Sequence, residues 1–407
     1  MTKVKPFRGV RPEDNMVQDL MLHQFDHVIL EKAGDISIEE IDARAEKLGF
    51  DLHTDPQLEY FLKVGIGYRK LVNGKKLIRD GKPAYYLFGI NWDNHWLYGL
   101  VGAVHYSDYW NGTVKKHEST IHDNEQELVK ITEAIDFNFN PITLTYPDFG
   151  PLDEVIEEVV RNEASYTFYN AQAIEHKLWA IDQPERMSAI EKHFEAVPNT
   201  YIADGHHRIE SGSIVAKTRN ERGNSPAEAP HNYFIAIHFA SSQLRMYEFN
   251  RLLKDLGIYT PQEFLEQIGV HFTIEESNEP VRPRQKFEYG LYLEKQWYRL
   301  RYNQATYLGD DPIDNLDVSV LRKEIMTRLL GIIDFRTTKR ISYVEGVKGI
   351  DKLEHLVDKG EYAAAFTLYQ TQVEELFQIA DRHEVMPPKA TCIEPKLKSG
   401  MISRLLS

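Results

Sequence analysis

Apolar positions recur along this chain at two different spacings, and the alternation between them predicts a mixed architecture. Between Ile38 and Leu48 the apolar residues return every three to four positions, with Ser37 ahead and Gly49 behind, which predicts a capped helix. Residues 60–72 carry the same period and stop at Asn73-Gly74, a second helix. Short apolar and aromatic blocks follow at 84–90 and 96–104 and read as strands. A polar stretch, 112–120, leads to a helical pattern at 124–134 and a strand at 142–146.

The middle of the chain repeats the alternation. Helices are predicted at 152–161, 185–194 and 209–219, and strands at 177–181, 199–203 and 233–239, with an exposed loop at 222–226. Beyond Pro280, residues 291–302 read as strands, 319–330 and 363–383 as helices, and 386–391 as an irregular segment stiffened by Pro387 and Pro388. Strands interleaved with helices predict an α/β or α+β fold. The turn-forming run Pro147-Asp148-Phe149-Gly150-Pro151 and the change near Pro280 suggest three regions, 1–150, 151–278 and 279–407.

Composition narrows the function classes. With 407 residues, 42% of them hydrophobic, the chain can bury a large core and is not a disordered polymer. The formal net charge of −14 works against general nucleic-acid binding, although a local basic pocket can still take a small anion. The single cysteine, Cys392, excludes an internal disulfide framework and a multi-cysteine zinc site. No run approaches the roughly 18 apolar residues of a membrane span, and the start of the chain lacks a signal-peptide pattern, so a cytoplasmic protein without a membrane partner is expected. Self-association into a homo-oligomer is compatible with all of this.

The strongest chemical signal is Asp204-Gly205-His206-His207-Arg208, placed between a predicted strand and a predicted helix. A tight Asp-Gly turn there leaves free backbone N–H groups at the positive end of the helix, a natural anion site. Arg208 offers a planar fork to phosphate or carboxylate oxygens. His206 and His207 are suited to moving protons near neutral pH. Asp204 could hold Mg²⁺ or orient a histidine. The structural alternative is an ordinary helix start with one histidine in the core, but four chemically capable residues in five argue for function.

Lys115-Lys116-His117-Glu118-Ser119-Thr120 is a second candidate wall for phosphate or metal, and Lys5-Pro6-Phe7-Arg8-Gly9 a rigid segment that could hold Arg8 in a pocket. Lys389, after two prolines, could close a pocket or simply pack. Asn250-Arg251 and Glu345 are weaker candidates.

Taken in order, these segments resemble the bacterial and archaeal family known as domain of unknown function 1015. The resemblance rests on Lys5-Pro6-Phe7-Arg8-Gly9, Lys116-His117-Glu118 with Thr120, Tyr201 to Arg208 with Glu210, Asn250-Arg251, Met386-Pro387-Pro388-Lys389, and Pro395-Lys396 with Gly400. The chain departs from the usual pattern at Gln24-Phe25-Asp26, where a Pro-Tyr-Asp is customary, and at Ala390 and Cys392. The Asp-Gly-His-x-Arg element also looks like that of the ParB/sulfiredoxin-like superfamily, which includes partition proteins and free-serine kinases.

That resemblance implies a ParB/sulfiredoxin-like core flanked by further N- and C-terminal α/β regions. It implies phosphoryl transfer on serine or O-phosphoserine, in the direction of a kinase, phosphatase or phosphotransferase, with Mg²⁺ at Asp204 and an adenine nucleotide as cofactors. Asp204, His206, His207 and Arg208 are then the catalytic candidates. Gly205, Glu210, Arg8, Lys116, His117, Glu118, Thr120 and Lys389 are candidates for binding a small phosphorylated substrate. The alternatives are a nucleotide-binding regulatory protein and a metal-dependent hydrolase using His117, Glu118, His206 and His207.

Overall fold

The structure is a computed structural model that describes every residue except 1, 119–121, 224, 304–308 and 336, and for 122–124 the backbone alone. It is mixed α/β, as the alternating periodicities predict. Contacts divide the chain into one unit made of residues 1–244 with 395–407 and a second made of 245–394.

The first unit contains, in order, β1 (Val4–Lys5), β2 (Val10–Pro12), α1 (Asp14–Leu22), α2 (Phe25–Ala33), α3 (Ile38–Leu48), α4 (Gln57–Asn73), β3 (Leu77–Arg79), β4 (Tyr85–Trp92) and β5 (His95–His105). There follow α5 (Tyr106–Trp110), β6 (Val114–Lys115), α6 (His122–Ile135), β7 (Phe137–Asn138), β8 (Ile142–Tyr146), α7 (Gly150–Val160), β9 (Tyr166–Tyr169), β10 (Glu175–Ile181), α8 (Pro184–Glu195), β11 (Thr200–Asp204), α9 (His206–Arg222) and β12 (Tyr233–Ala240). One sheet runs β6-β11-β8-β12-β5-β4-β10-β9, with β1 added to β5. It is mixed: β12 lies parallel to β8 and β11 parallel to β6, while β11 and β8 are antiparallel.

Local chemistry explains the well-predicted elements. Ser37 and Glu40 form a reciprocal capping box at the start of α3, and Gly49 closes it in the left-handed conformation. β12 is buried along its whole length, as befits a strand with neighbours on both sides. Leu144, Ile202, Ile209 and Phe234 join the core cluster on which β11 and α9 rest.

The second unit contains β13 (Arg245–Tyr247), β14 (Phe249–Leu253), α10 (Pro261–Gly269), β15 (Phe272–Ser277), β16 (Glu288–Leu293), β17 (Gln296–Tyr302), α11 (Asp317–Leu321), β18 (Ile341–Glu345), α12 (Asp351–Asp358), β19 (Ala364–Leu368), α13 (Val373–Asp381) and β20 (Cys392–Glu394). Its main sheet is antiparallel, in the order β15-β17-β16-β19-β14-β18.

Several expectations need correction. The turn at 147–151 is no boundary: β8 just before it pairs with β12 far beyond it, and Gly150-Pro151 simply opens α7. The division at 278/279 likewise falls inside the second unit. Residues 363–383 are not one helix but β19 followed by α13. Ala364–Leu368 is a fully buried run paired on both edges, and such a run carries no periodicity to separate strand from helix. The helix expected at 319–330 is α-helical only to Leu321 and continues as a π-helical turn, Arg322–Thr327. Among the described residues no helix is long and apolar enough to cross a membrane.

Candidate functional site

β11 is buried from Thr200 to Ala203 and surfaces at Asp204, where its pairing with β8 becomes irregular. Gly205 then turns the chain with φ +105°, a conformation open to glycine and strained for any residue with a Cβ. A Cβ there would also lie 2.9 Å from Ile142 Cδ1 and 3.0 Å from Arg208 Nη2. α9 begins at His206 without a side-chain cap, and the bond that closes its first turn runs from Ile209 N to Gly205 O at 3.0 Å. The amides of His206, His207 and Arg208 therefore precede the helical ladder and point outward from a helix N-terminus.

The strand β6 brings the second motif to the same place. It lies parallel to β11, with Lys115 opposite Tyr201, so the residues after it run out beside the end of β11. His117 is buried and its ring bonds to the backbone of Ile202; burial pushes it down to about 4. The His206 ring stands edge-on to that of His117, with centroids 4.6 Å apart and planes at 85°. His206 Nδ1 lies 3.7 Å from Glu118 Oε2. Burial, then the neighbouring His117, His207, Lys116 and Arg208, holds His206 well below the usual histidine range, so its ring is neutral. His206 Nε2 and His207 Nδ1 are both buried without a hydrogen-bond partner.

Lys116 and Glu210 meet through a residue the sequence did not single out. Tyr109, on α5, donates its hydroxyl to Glu210 Oε2, and Lys116 Nζ sits 5.9 Å from the Tyr109 ring centroid. Burial raises the Tyr109 pKa, and the Glu210 carboxylate adds to it. α5 reaches α9 because Gly212 has no side chain: a Cβ would lie 2.0 Å from Tyr106 Oη. One turn of helix ahead of a Lys-rich segment gives no periodic signal, so Tyr109 was not legible in the sequence.

Other candidates fall elsewhere. Arg208 is not an open fork: Nη2 donates to Asp204 Oδ2, and Nη1 donates to the carbonyls of Asn140 and Pro141, both at 3.0 Å. Its role in the structure is to latch the turn to the segment before β8. The Asp204 carboxylate is correspondingly committed to Arg208, and among the described residues no group of three or more His, Cys, Asp or Glu could hold a metal ion. His117, Glu118, His206 and His207 therefore do not form the four-ligand centre expected of a metal-dependent hydrolase. The Glu210 carboxylate, an acceptor bonded to Tyr109, is not a phosphate ligand. Arg8 donates Nε to the Asp80 carbonyl at 2.9 Å rather than to the motif. Lys389 belongs to the second unit, where its Nζ lies 5.2 Å from the Phe249 ring centroid. Thr120 lies outside the described residues.

No curated protein matches this chain. Among solved structures, a conserved hypothetical protein from Pyrococcus furiosus is similar at 13% identity and a TM-score of 0.35, covering 75% of this chain and 95% of that one. A free serine kinase in complex with AMP is similar at 13% identity and a TM-score of 0.34, covering 74% and 92%. SbnI with a C-terminal truncation, from Staphylococcus aureus, is similar at 11% identity and a TM-score of 0.38, covering 74% and 87%. A family model described as protein of unknown function (DUF1015) matches residues 4–319, and the chain belongs to that family.

Proposed function

We propose that the first unit is a phosphoryl-transfer enzyme acting on serine or O-phosphoserine, with its chemistry at Lys116, Glu118, His206, His207 and the N-terminus of α9. The observation that supports this reading is the meeting of His206 with His117 and Glu118, from a segment far away in sequence. Phosphoryl transfer needs positioning and positive charge more than covalent participation by the protein. The amides of His206, His207 and Arg208 and the Lys116 ammonium supply that charge. His206, buried and neutral beside Glu118, orients the reacting group by hydrogen bonding. His207 is only half-buried, and its partnerless Nδ1 is the group we assign to proton movement. Serine and an adenine nucleotide are chosen on the motif's resemblance to free-serine kinases. No step is routed through Mg²⁺.

A nucleotide-binding regulatory role is the competing reading. It is favoured by Arg208, whose engagement with Asp204 and two carbonyls removes from the site the cation best suited to a transferring phosphoryl group. One assay separates the two: the full chain is incubated with O-phosphoserine, alone and with AMP or ADP, and free phosphate and serine are measured. Turnover that His207→Ala lowers about 10²–10⁴-fold, with the melting temperature unchanged, supports the enzyme. Saturable nucleotide binding without release of phosphate or serine supports the regulator and sinks the enzymatic reading.

A further inference from the structure

Helices α2, α4 and α6 and residues 397–399 enclose a cleft that the proposed chemistry leaves unused. It lies wholly within the first unit and has a volume of about 350 Å³, in the range of small-molecule sites. Its walls are apolar and largely aromatic: Phe25 of α2, Phe61 of α4, Ile135 of α6, and Phe139. Phe25 and Phe139 stack with ring centroids 4.7 Å apart and planes at 10°. Gln24-Phe25-Asp26 is where the chain departs from the customary Pro-Tyr-Asp, and a phenylalanine there leaves this wall without the hydroxyl of a tyrosine. Gly400 N donates to the Phe139 carbonyl at 2.8 Å, which seats the residues just before it against the same cleft.

Two opposite charges line this cleft and do not meet. Asp26 faces it from the first turn of α2 and Lys398 from the segment opposite, and among the described residues neither makes an ion pair. Lysines elsewhere in the same unit do find carboxylates: Lys130 pairs with Asp55 and Lys70 with Glu40. Among the described residues, the Asp26 side chain accepts only from the Tyr60 hydroxyl, which donates to Oδ2 at 2.6 Å. Burial, then Asp26, pushes that hydroxyl up to about 12, so it stays a donor at neutral pH. Oδ1 is left open to a further donor. His23 and Ser399 complete the polar rim. A charge beside apolar walls loses part of its hydration, and an opposite charge restores the balance. A ligand that carries a cation and an anion on one small body answers both groups at once, and an aromatic side chain suits the remaining walls.

We infer that this cleft binds a free α-amino acid with an aromatic side chain, its ammonium held by Asp26, its carboxylate by Lys398, and its ring set among Phe25, Phe61, Ile135 and Phe139. The site does not depend on the chemistry proposed at α9, which uses other residues. Serine, with a single hydroxymethyl group, would leave these apolar walls unfilled.

The test titrates the full chain calorimetrically with L-phenylalanine and with two truncated probes, 3-phenylpropanoate, which lacks the ammonium, and 2-phenylethylamine, which lacks the carboxylate. L-phenylalanine should bind saturably, and each truncated probe should bind roughly ten- to a hundred-fold more weakly, the loss expected for a charge-assisted hydrogen bond. Asp26→Asn and Lys398→Gln should each weaken L-phenylalanine by a similar factor. Asparagine still offers an oxygen to Tyr60, so the first variant should melt close to the wild type. It should leave the residual binding of 3-phenylpropanoate unchanged, since that probe brings no ammonium, and a merely structural role for Asp26 would not spare it. Should Asp26→Asn not fold, Lys398→Gln and the truncated probes decide alone. L-serine should bind at least about tenfold more weakly than L-phenylalanine. No saturable binding of L-phenylalanine, truncated probes or L-serine that bind as tightly, or binding indifferent to either substitution overturns the inference.

Discussion

His117, His176 and His238 are buried, and burial pushes each of them down to about 4. His238 Nδ1 lies 3.1 Å from the Leu100 carbonyl and donates to it, which fixes a neutral tautomer; His176 stacks on Phe168 at 5.4 Å. The unfolded chain takes up protons at about pH 6.5 that these folded rings refuse until about pH 4. Stability is therefore full above pH 6.5 and lost progressively as the pH falls toward 4. At pH 5 each ring should cost about 2 kcal/mol, so the urea midpoint should drop clearly between pH 7 and pH 5. His238→Leu should flatten that drop by about one ring's share, and a midpoint that rises on acidification would contradict the account. The same scale shows the limit of reading residue types. Arg208 carries the right chemistry for phosphate, yet the acceptors of Asp204, Asn140 and Pro141 claim it first.

The element that matters most is the strand, turn and helix from Thr200 to Arg222, and it was readable because three local signals agree: a short apolar run, Asp-Gly, and a helical spacing after it. Its hinge is Gly205. Gly205→Ala should destabilise the protein by about 1–3 kcal/mol, from the positive φ and the contact with Ile142. It should also disperse the amides of the proposed anion site, so that on the proposed function phosphoserine turnover falls further than the melting temperature explains. A Gly205→Ala protein with wild-type melting would show that the turn accepts a Cβ. Where local signals are silent, elements were misread: Ala364–Leu368 has no amphipathic period because both of its faces are covered.

At the scale of the molecule, the second unit leaves the first after Leu244 and the chain returns at Pro395. The ends of the excursion pair with each other, Arg245 opposite Glu394 and Tyr247 opposite Cys392. Adjacent ends and a separate core around Leu252, Tyr292, Trp297 and Leu353 mark a unit able to fold alone. Residues 245–394 expressed alone should give a cooperative thermal transition by circular dichroism; a non-cooperative melt would refute this. The returning segment is structural: Ser403 and Val10 exchange backbone hydrogen bonds at 2.9 and 2.8 Å, and Met401, Ile402 and Leu406 are buried. Deleting 395–407 should therefore destabilise the first unit by several kcal/mol, the size expected for losing buried apolar side chains together with their bonds.

The sequence by itself determined the alternation of helices and strands, the capped ends of α3, and the turn at Gly205, because each follows from interactions among residues a few positions apart. It also singled out Lys116-His117-Glu118 and His206-His207 by chemistry. Only the tertiary structure decided that these two segments meet, through the pairing of β6 with β11, and that Tyr109 joins them. Only it decided that Arg208 serves the turn and that Arg251 donates to the Phe249 carbonyl. Such outcomes depend on sheet order and on which distant acceptor lies nearest, and neither is encoded in local spacing.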